Sequence, residues 1–294
     1  RAETNPSYAS LVPYLVANVY YRQKKYDELI QYAKNLQARS DVSNMNEISM
    51  LVAEANYFKG DYKNAMEAYE TYLASNADKA QSTLLFRAGY ANYSLNNIPK
   101  ATEYFQKSAA TKDTVSYFSS YYLGILYLKQ GNKPYALNAF DYARKSPVDK
   151  RLTEESSFHF AKVSYDMGKA DQAITELEKF LTVYPASTYG TEVKELLAQA
   201  YVNGNNYNRA IEYIEALPRR TLIVDRSYQK ATYLKGVELF NKEDYVNAVQ
   251  FFEKSLKNPI DKEYVALASF WNGEAYSIGR KYGEAAGQYL TVVS

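Results

Sequence analysis

The chain has 294 residues, of which 32 are tyrosine and none is cysteine, and its 35 lysines and arginines nearly balance 33 aspartates and glutamates. Hydrophobic residues make up 47% of the sequence, more than disordered chains carry, so the chain is expected to fold. The formal net charge of +2 lacks the basic excess typical of nucleic-acid-binding proteins, and the absence of cysteine excludes disulfides, thiolate zinc sites and a cysteine nucleophile.

Residue types that carry catalysis or bind metals are scarce. His159 is the single histidine, so a histidine-cluster metal site is excluded and any Ser-His-Asp arrangement would have to use it. Its neighbours Phe158, Phe160 and Ala161 indicate instead one packed turn of a helix. The sequence contains no P-loop, no Rossmann glycine pattern and no HExxH motif. We therefore expect no catalytic residue, no metal site and no cofactor, and a protein that is not an enzyme.

In chain order, a turn of the type Lys59-Gly60-Asp61-Tyr62 recurs along the whole sequence. The residue aligned with Tyr62, here called the turn position, occurs eight times at intervals of 35 to 38 residues. The eight turn positions are Tyr26, Tyr62, Ile98, Lys133, Ala170, Tyr207, Tyr245 and Tyr282. Such regular spacing predicts a tandem array of one supersecondary unit.

Three further columns keep the same register. Nine residues before the turn position the residue is always small: Ala17, Ala53, Gly89, Gly124, Ala161, Ala198, Gly236 and Gly273. Three residues after it, alanine occurs in seven repeats and Leu29 in the first. Seven residues after it, repeats two to eight carry large side chains: Tyr69, Phe105, Phe140, Leu177, Ile214, Phe252 and Tyr289. Small residues at fixed positions predict closely approaching helices, and Leu29 with Ala33 predicts atypical packing in repeat one.

Each repeat is predicted to contain two helices, helix A before the turn and helix B after it. In the second repeat, helix A runs from Glu47 to Lys59 and Gly60 suits a left-handed C-cap. Asp61 is the predicted N-cap of a helix from Tyr62 to about Leu73. The equivalent N-cap positions are Asn97, Asn132, Asn206 and Asp244. Nothing alternates with period two, so no strand is expected.

These residues and their spacing resemble the tetratricopeptide repeat family over essentially all of the chain. The family also has an aromatic residue soon after the small residue of helix A, a position that Tyr20, Tyr127, Tyr201 and Tyr276 occupy. The resemblance implies an all-α fold, one α-solenoid with a right-handed superhelix spanning residues 1–294. Its eight tandem repeats are predicted at about 8–40, 45–78, 80–112, 116–147, 152–185, 189–218, 227–260 and 263–294. The period exceeds the usual 34 residues, and we expect the extra residues to lengthen loops.

The resemblance also implies where a partner would bind, because helix A lines the concave side in this family. Two helix-A columns, twelve and five residues before the turn position, should face that groove, and eleven of their sixteen residues are aromatic. The candidate partner-binding residues are Tyr14, Tyr21, Tyr57, Phe86, Tyr93, Tyr121, Phe158, Tyr165, Tyr233, Phe240 and Phe270. The alternative is that these rings mainly pack in the seam between repeats. We hypothesise that Tyr57, Tyr93 and Tyr165 contribute more to binding than to folding.

The resemblance favours a non-catalytic scaffold that binds a partner protein or peptide. An alternative is a carbohydrate-binding protein of an envelope glycan-uptake system, since exposed aromatic rings stack on sugars. RNA recognition by pentatricopeptide-type repeats has a similar period, but the +2 charge and the alanine columns argue against it. The lysine and asparagine clamp that binds chaperone tails is absent, since only Asn18 occupies one of its positions.

The segment Phe180 to Tyr189 is similar to the helix-end segment of bacterial cell-envelope tetratricopeptide proteins, including outer-membrane assembly lipoproteins and the coordinator of the Tol–Pal system. The tyrosine-rich, cysteine-free repeats also resemble envelope proteins of Bacteroidetes in style. We therefore expect a periplasmic or envelope-associated role, with a cytoplasmic location as the alternative. The longest apolar stretch, Tyr117 to Leu128, is too short to span a bilayer. The sequence starts at Arg1 and stops at Ser294 inside a predicted helix, so we expect a longer protein; the oligomeric state is not indicated.

Overall fold

The structure, a computed structural model, describes residues 5, 8–76 and 80–293. In those ranges it contains sixteen α-helices and no strand, so the prediction of an all-α helical repeat solenoid is confirmed. The helices are α1 (Val12–Arg22), α2 (Tyr26–Leu36), α3 (Met45–Lys59), α4 (Tyr62–Asn76), α5 (Ser82–Ser94), α6 (Ile98–Ala109), α7 (Thr114–Lys129), α8 (Lys133–Ala143), α9 (Lys150–Asp166), α10 (Ala170–Val183), α11 (Gly190–Asn203), α12 (Tyr207–Glu215), α13 (Leu222–Asn241), α14 (Tyr245–Leu256), α15 (Lys262–Ile278) and α16 (Tyr282–Val293).

The odd-numbered helices are the A helices of the eight repeats and the even-numbered helices are the B helices. The chain forms two compact units, residues 1–153 and residues 154–294, and the boundary between them lies within α9. The predicted end of repeat two at residue 78 and the chain end at Ser294 lie outside the described residues. None of the described helices combines the length and apolarity that crossing a membrane requires.

The turns between helices A and B form largely as predicted. Gly60 is the C-cap of α3 with φ of 79°, a left-handed conformation that glycine adopts without strain. Asp61 accepts a hydrogen bond from the Asn64 backbone N–H at 3.2 Å, and Asn132 and Asp244 make the equivalent bonds. Asn97 and Asn206 occupy N-cap positions but make no side-chain cap bond. Asn97 instead donates to Asn92 Oδ1 at 2.8 Å.

The predicted close approach of helices A and B is confirmed. A Cβ atom on Gly89 would lie 2.9 Å from the Phe105 ring, and one on Gly236 would lie 2.6 Å from the Phe252 ring. The alanines three residues after the turn position are all buried, as is Leu29 in repeat one. In repeat one, Leu29 and Ala33 are both buried in a cluster with Ala17.

The prediction that extra residues lengthen loops is wrong for repeat seven, because they lengthen a helix. Helix α13 has 20 residues, whereas the other described A helices have 11 to 17. It begins at Leu222, ahead of the predicted repeat start at residue 227, and Thr221 caps it by accepting from the Val224 N–H. The added turn carries Leu222, which is 62% exposed, and Ile223, which is 43% exposed.

Candidate partner-binding surface

The eleven predicted partner-binding residues lie on A helices and differ in exposure. Phe270 is 41% exposed, whereas Phe158 and Tyr233 are only 3% and 8% exposed. The remaining eight are half-buried: Tyr14, Tyr21, Tyr57, Phe86, Tyr93, Tyr121, Tyr165 and Phe240. The predicted set is therefore not one uniformly exposed surface.

The two buried rings belong to the seam between helices. Phe158 stacks on Tyr189 with ring centroids 4.2 Å apart, and it also contacts the Phe180 ring edge-on. Tyr189 lies in the connection between α10 and α11, outside the register columns that the sequence revealed. Tyr233 similarly packs against Tyr264. For these two residues the structure favours the seam interpretation.

In unit 1, Tyr57 is embedded among other rings. Its centroid lies 5.8 Å from that of Tyr62, 6.4 Å from that of Tyr69 and 6.0 Å from that of Tyr90. Burial is the main cause that raises the pKa of the Tyr57 phenol, so this hydroxyl remains protonated at neutral pH. These contacts make Tyr57 a packing residue whatever else it does.

A buried carboxylate lies beside this tyrosine cluster. Glu54 is 5% exposed, and it accepts hydrogen bonds from Tyr69 Oη at 2.6 Å and from Tyr21 Oη at 3.2 Å. The Arg87 guanidinium forms an ion pair with the same carboxylate, and its Cζ lies 4.9 Å from the Phe58 ring centroid. Because Arg87 and Glu54 come from successive A helices, the pair links repeats two and three.

Farther along unit 1, aromatic rings continue across α5 and α7. Tyr93 and Tyr122 contact edge-on with centroids 5.2 Å apart, and Tyr90 contacts Tyr122 at 5.4 Å. The exposed Lys129 ammonium lies 4.9 Å from the Tyr93 ring centroid. Tyr93 therefore combines packing on one side of the ring with a partly accessible surface near a cation.

In unit 2, Tyr165 borders a surface pocket of about 380 Å³ formed by α9, α11 and α13. Tyr165 Oη donates to Gln199 Oε1 at 3.0 Å and accepts from Asn203 Nδ2 at 3.2 Å. Val202 and Ile223 supply apolar lining, and Ser227 completes the α13 wall. The two hydrogen bonds hold the phenol and both amides in fixed orientations at the pocket wall.

Two cationic side chains, Arg226 and Lys230, also line this pocket. They lie one helical turn apart on α13, so both project to the same side of the helix. Neither forms a salt bridge within the part of the chain that the structure describes. The sequence columns missed both residues because they precede the repeat's helix-A pattern, although their four-residue spacing is visible in the sequence.

Side chains suited to metal binding do not cluster in the described ranges. No cluster of three or more His, Cys, Asp or Glu side chains is present there. Burial is the main cause that lowers the pKa of His159, so its imidazole is neutral at pH 7. The neighbouring Phe158, Phe160 and Ala161 are all buried, which agrees with the packed helix turn predicted around His159.

The repeat geometry agrees with the sequence profiles that match this chain. Profiles described as "Tetratricopeptide repeat" match residues 53–114, 155–187 and 195–263, together more than half of the chain. The chain belongs to the tetratricopeptide repeat family. No curated protein is significantly similar to it in sequence.

Several solved structures share this tetratricopeptide fold at low sequence identity. The C-terminal part of a TPR repeat-containing protein from Cytophaga hutchinsonii is 18% identical, with a TM-score of 0.50 over 86% of this chain and 98% of that one. The apo form of RapI is 13% identical, with a TM-score of 0.53 over 99% and 87%. A chain of Naa15/Naa10 bound to HypK-THB is 18% identical, with a TM-score of 0.55 over 84% and 36%. At these identities the likeness shows the fold alone.

Proposed function

We propose that this tetratricopeptide repeat chain is a non-catalytic scaffold that binds a partner protein or peptide along the helix-A faces of its repeats. The observation that carries the proposal is the unit 2 pocket beside Tyr165, where oriented amides line a concave surface together with two cations that form no salt bridge to any described residue. Protein partners are recognised by such combinations of apolar area and a few fixed polar groups.

The aromatic A-helix surface of unit 1 supports the same function. Tyrosine provides large contact area with few rotatable bonds, so ordering it on binding costs little conformational entropy. Tyr93 and Phe58 keep accessible ring surface, and Phe58 is 47% exposed beside Arg87. An extended segment of a partner could therefore lie across these rings.

The protonation states of the tyrosines favour binding over catalysis. Burial raises the pKa of Tyr165 above its ordinary value, as it does for Tyr57 and Tyr21. A phenol with a raised pKa stays protonated and is a poor general base at neutral pH. The Tyr165 and Tyr21 hydroxyls already donate to Gln199 and Glu54, so these residues offer a partner ring surface and a hydrogen-bond acceptor rather than proton transfer.

Site-specific photo-crosslinking in the native host tests the proposal. Benzoylphenylalanine replaces Tyr93 or Phe270 on A helices, and it replaces the exposed Tyr135 or Tyr282 on B helices as matched aromatic controls. We expect discrete crosslinked partners at Tyr93 and Phe270 and weaker or no products at the controls. Equal crosslinking from the B-helix positions would contradict binding through the helix-A faces.

We further propose that the scaffold acts in assembly or organisation of a bacterial envelope. The support is the cysteine-free composition and the envelope-type segment from Phe180 to Tyr189. Fractionation of the natural full-length protein from its own host tests this location, with cytoplasmic and periplasmic marker enzymes as controls. Recovery with the cytoplasmic marker would overturn it.

A further inference from the structure

We infer that the pocket beside Tyr165 binds a side-chain carboxylate of an acidic partner segment, with an apolar partner residue packed next to that carboxylate. The inference rests on the proposed scaffold function and specifies the chemistry of the partner at one place. Arg226 and Lys230 supply the positive charge, and Val202 and Ile223 supply the apolar surface.

One wall of the pocket is formed by the additional N-terminal turn of α13. This helix begins at Leu222, and its first two turns bring Ile223 and Arg226 alongside Asn203 at the end of α11. The other described A helices are shorter, so this wall is a particular feature of repeat seven rather than a consequence of the repeat itself. One side of this turn packs into the core of unit 2 through buried Val224, and the other side brings Ile223 and Arg226 to the pocket.

The charges around the pocket favour an anion. Its lining contains two cations and no carboxylate. Asp225, the sequence neighbour of Arg226, faces Arg220 at 3.9 Å, and Asp166 is the acid whose charge acts on Tyr165 at the opposite wall. A carboxylate entering the pocket would therefore gain charge-assisted hydrogen bonds from Arg226 and Lys230 without displacing an internal partner.

Most hydrogen-bond donors on the neutral polar side chains of the pocket already bind acceptors within the chain. Gln199 Nε2 donates to the Glu195 carbonyl at 3.3 Å, and Ser227 Oγ donates to the Ile223 carbonyl at 3.0 Å. One N–H of Asn203 is held by Tyr165. The donors that remain for a ligand are thus mainly the guanidinium and the ammonium, which prefer a carboxylate over a neutral amide.

The exposed apolar residues beside the two cations indicate which type of partner residue lies next to the partner's carboxylate. Ile223 is 43% exposed at the pocket rim, and the neighbouring Leu222 is 62% exposed. Exposed apolar side chains adjoining unpaired cations suit a segment in which Asp or Glu alternates with Leu or Phe. Fully polar anions such as inorganic phosphate would leave this rim uncovered.

Fluorescence anisotropy tests the inference with a labelled twelve-residue peptide of alternating glutamate and leucine and its glutamine-for-glutamate counterpart. We expect the acidic peptide to bind the whole chain about tenfold more tightly than the glutamine peptide, and the preference to weaken as salt rises. The double variant Arg226→Gln/Lys230→Gln should remove most of that preference. Both side chains border solvent, so its melting temperature should stay within about 2 °C of the parent protein.

The matched control is Lys179→Gln/Lys257→Gln, which changes the net charge equally at two exposed positions of the same unit, on α10 and at the C-cap of α14. The control should bind the acidic peptide like the parent protein. Absence of saturable acidic-peptide binding, equal loss in both double variants, or tighter binding of a phosphopeptide or single-stranded RNA would each overturn the inference. If partners still crosslink through Tyr93 and Phe270, that failure leaves the scaffold function in place.

Discussion

A Cβ atom placed on Gly124 would lie 2.6 Å from the ring of Phe140, so the missing side chain of one residue accommodates the ring of the other. The same relationship joins Gly273 to Tyr289, at 2.7 Å. Repeats five and six instead pair alanine with the smaller Leu177 and Ile214 in the same register. Tyr69, opposite Ala53, is the exception, and its hydroxyl is held by Glu54.

Replacing Gly124 by alanine should therefore destabilise unit 1 even though alanine favours helix formation. The helix-propensity gain is about 1 kcal/mol, whereas overpacking a buried ring costs about 1–3 kcal/mol and forces Phe140 from its position. We expect a lower urea midpoint for Gly124→Ala, measured by circular dichroism. Adding Phe140→Leu should restore much of the loss, because it recreates the alanine–leucine pair of repeat five. A double variant no more stable than Gly124→Ala would contradict this complementarity.

Breaking the ion pair of Glu54 and Arg87 should destabilise unit 1 strongly. The variant Arg87→Leu leaves the Glu54 carboxylate buried with two tyrosine donors but no countercharge. Removing one partner of a buried pair commonly costs about 3–5 kcal/mol, and the partial exposure of Arg87 places our expectation near 2–4 kcal/mol. Urea unfolding measures the loss, with Lys107→Ala, from an exposed pair with Glu103, as control at less than about 1 kcal/mol. Equal losses would show that Glu54 does not depend on its countercharge.

Asn272 offers a stabilising substitution. Its side chain is fully buried in α15, and among the residues that the structure describes neither its Nδ2 nor its Oδ1 has a hydrogen-bond partner. Other repeats carry apolar residues such as Leu123 and Leu197 at the equivalent position. Asn272→Leu should raise the free energy of unfolding by about 1–2 kcal/mol, because it removes an unsatisfied buried amide. The exposed Asn241→Leu is the control, and a thermal melt in which Asn272→Leu lowers stability would refute the expectation.

Tyr57 and Tyr165 should respond differently to substitution. Tyr57→Ala removes a ring packed among several tyrosines and should cost about 3 kcal/mol of stability. Tyr165→Phe keeps the ring and loses only the hydrogen bonds to Gln199 and Asn203, so stability should change by less than about 1.5 kcal/mol. Measuring both the melting temperature and the acidic-peptide affinity of each variant distinguishes a packing role for Tyr57 from a binding role for Tyr165. If Tyr165→Phe leaves the affinity unchanged, the oriented amides are not part of binding.

The buried phenols make the fold sensitive to alkaline pH. Burial raises the pKa of Tyr104, Tyr201 and Tyr276 to about 12 each, and neighbouring glutamates contribute to the rise at all three. Because the unfolded phenols titrate near pH 10, the stabilisation is complete below that pH and is lost as pH rises toward about 12. Urea midpoints should therefore fall steeply above about pH 10.

Tyr201→Phe tests that alkaline dependence at one residue. Its slope of stability against pH above about pH 10 should be shallower than that of the parent chain, since one shifted group is gone. The exposed Tyr135→Phe serves as the control. Identical slopes for Tyr201→Phe and the parent would show that Tyr201 does not contribute.

The repeat columns predicted helix pairing well because one packing contact, a small residue facing a large one, is repeated through the chain. Gly89 and Phe105 are sixteen residues apart on adjacent helices, so their relationship is visible from spacing alone. Hydrogen bonds between helices, by contrast, could not be predicted from the spacing of residues in the sequence. Ser108 donates to the Ser82 carbonyl at 3.0 Å, and Ser255 donates to the Gln229 carbonyl at 2.9 Å. From sequence alone, a serine in a helix is predicted to be exposed, because its hydrogen-bond acceptor on the neighbouring helix is not yet known.

The candidate site was harder to predict for physical reasons. Tyrosine has an apolar ring and a polar hydroxyl, so the same column can hold buried Tyr233 and half-buried Tyr14. The burial of Phe158 depends on Tyr189, which lies in a connection and follows no repeat spacing. The Arg226 wall depends on residues 222–226 becoming helical, and local propensity in so short a segment does not decide between helix and loop.

The glycine–ring complementarity limits how such a chain can be recombined. A helix A bearing Gly124 placed before the helix B bearing Leu177 would leave a void, and one bearing Ala161 placed before the helix bearing Phe140 would clash with its ring. Helices A and B of one repeat should therefore be transplanted together as one unit. Gene duplication, deletion or laboratory grafting of this protein should succeed when the crossover lies between repeats and fail when it lies within the turn.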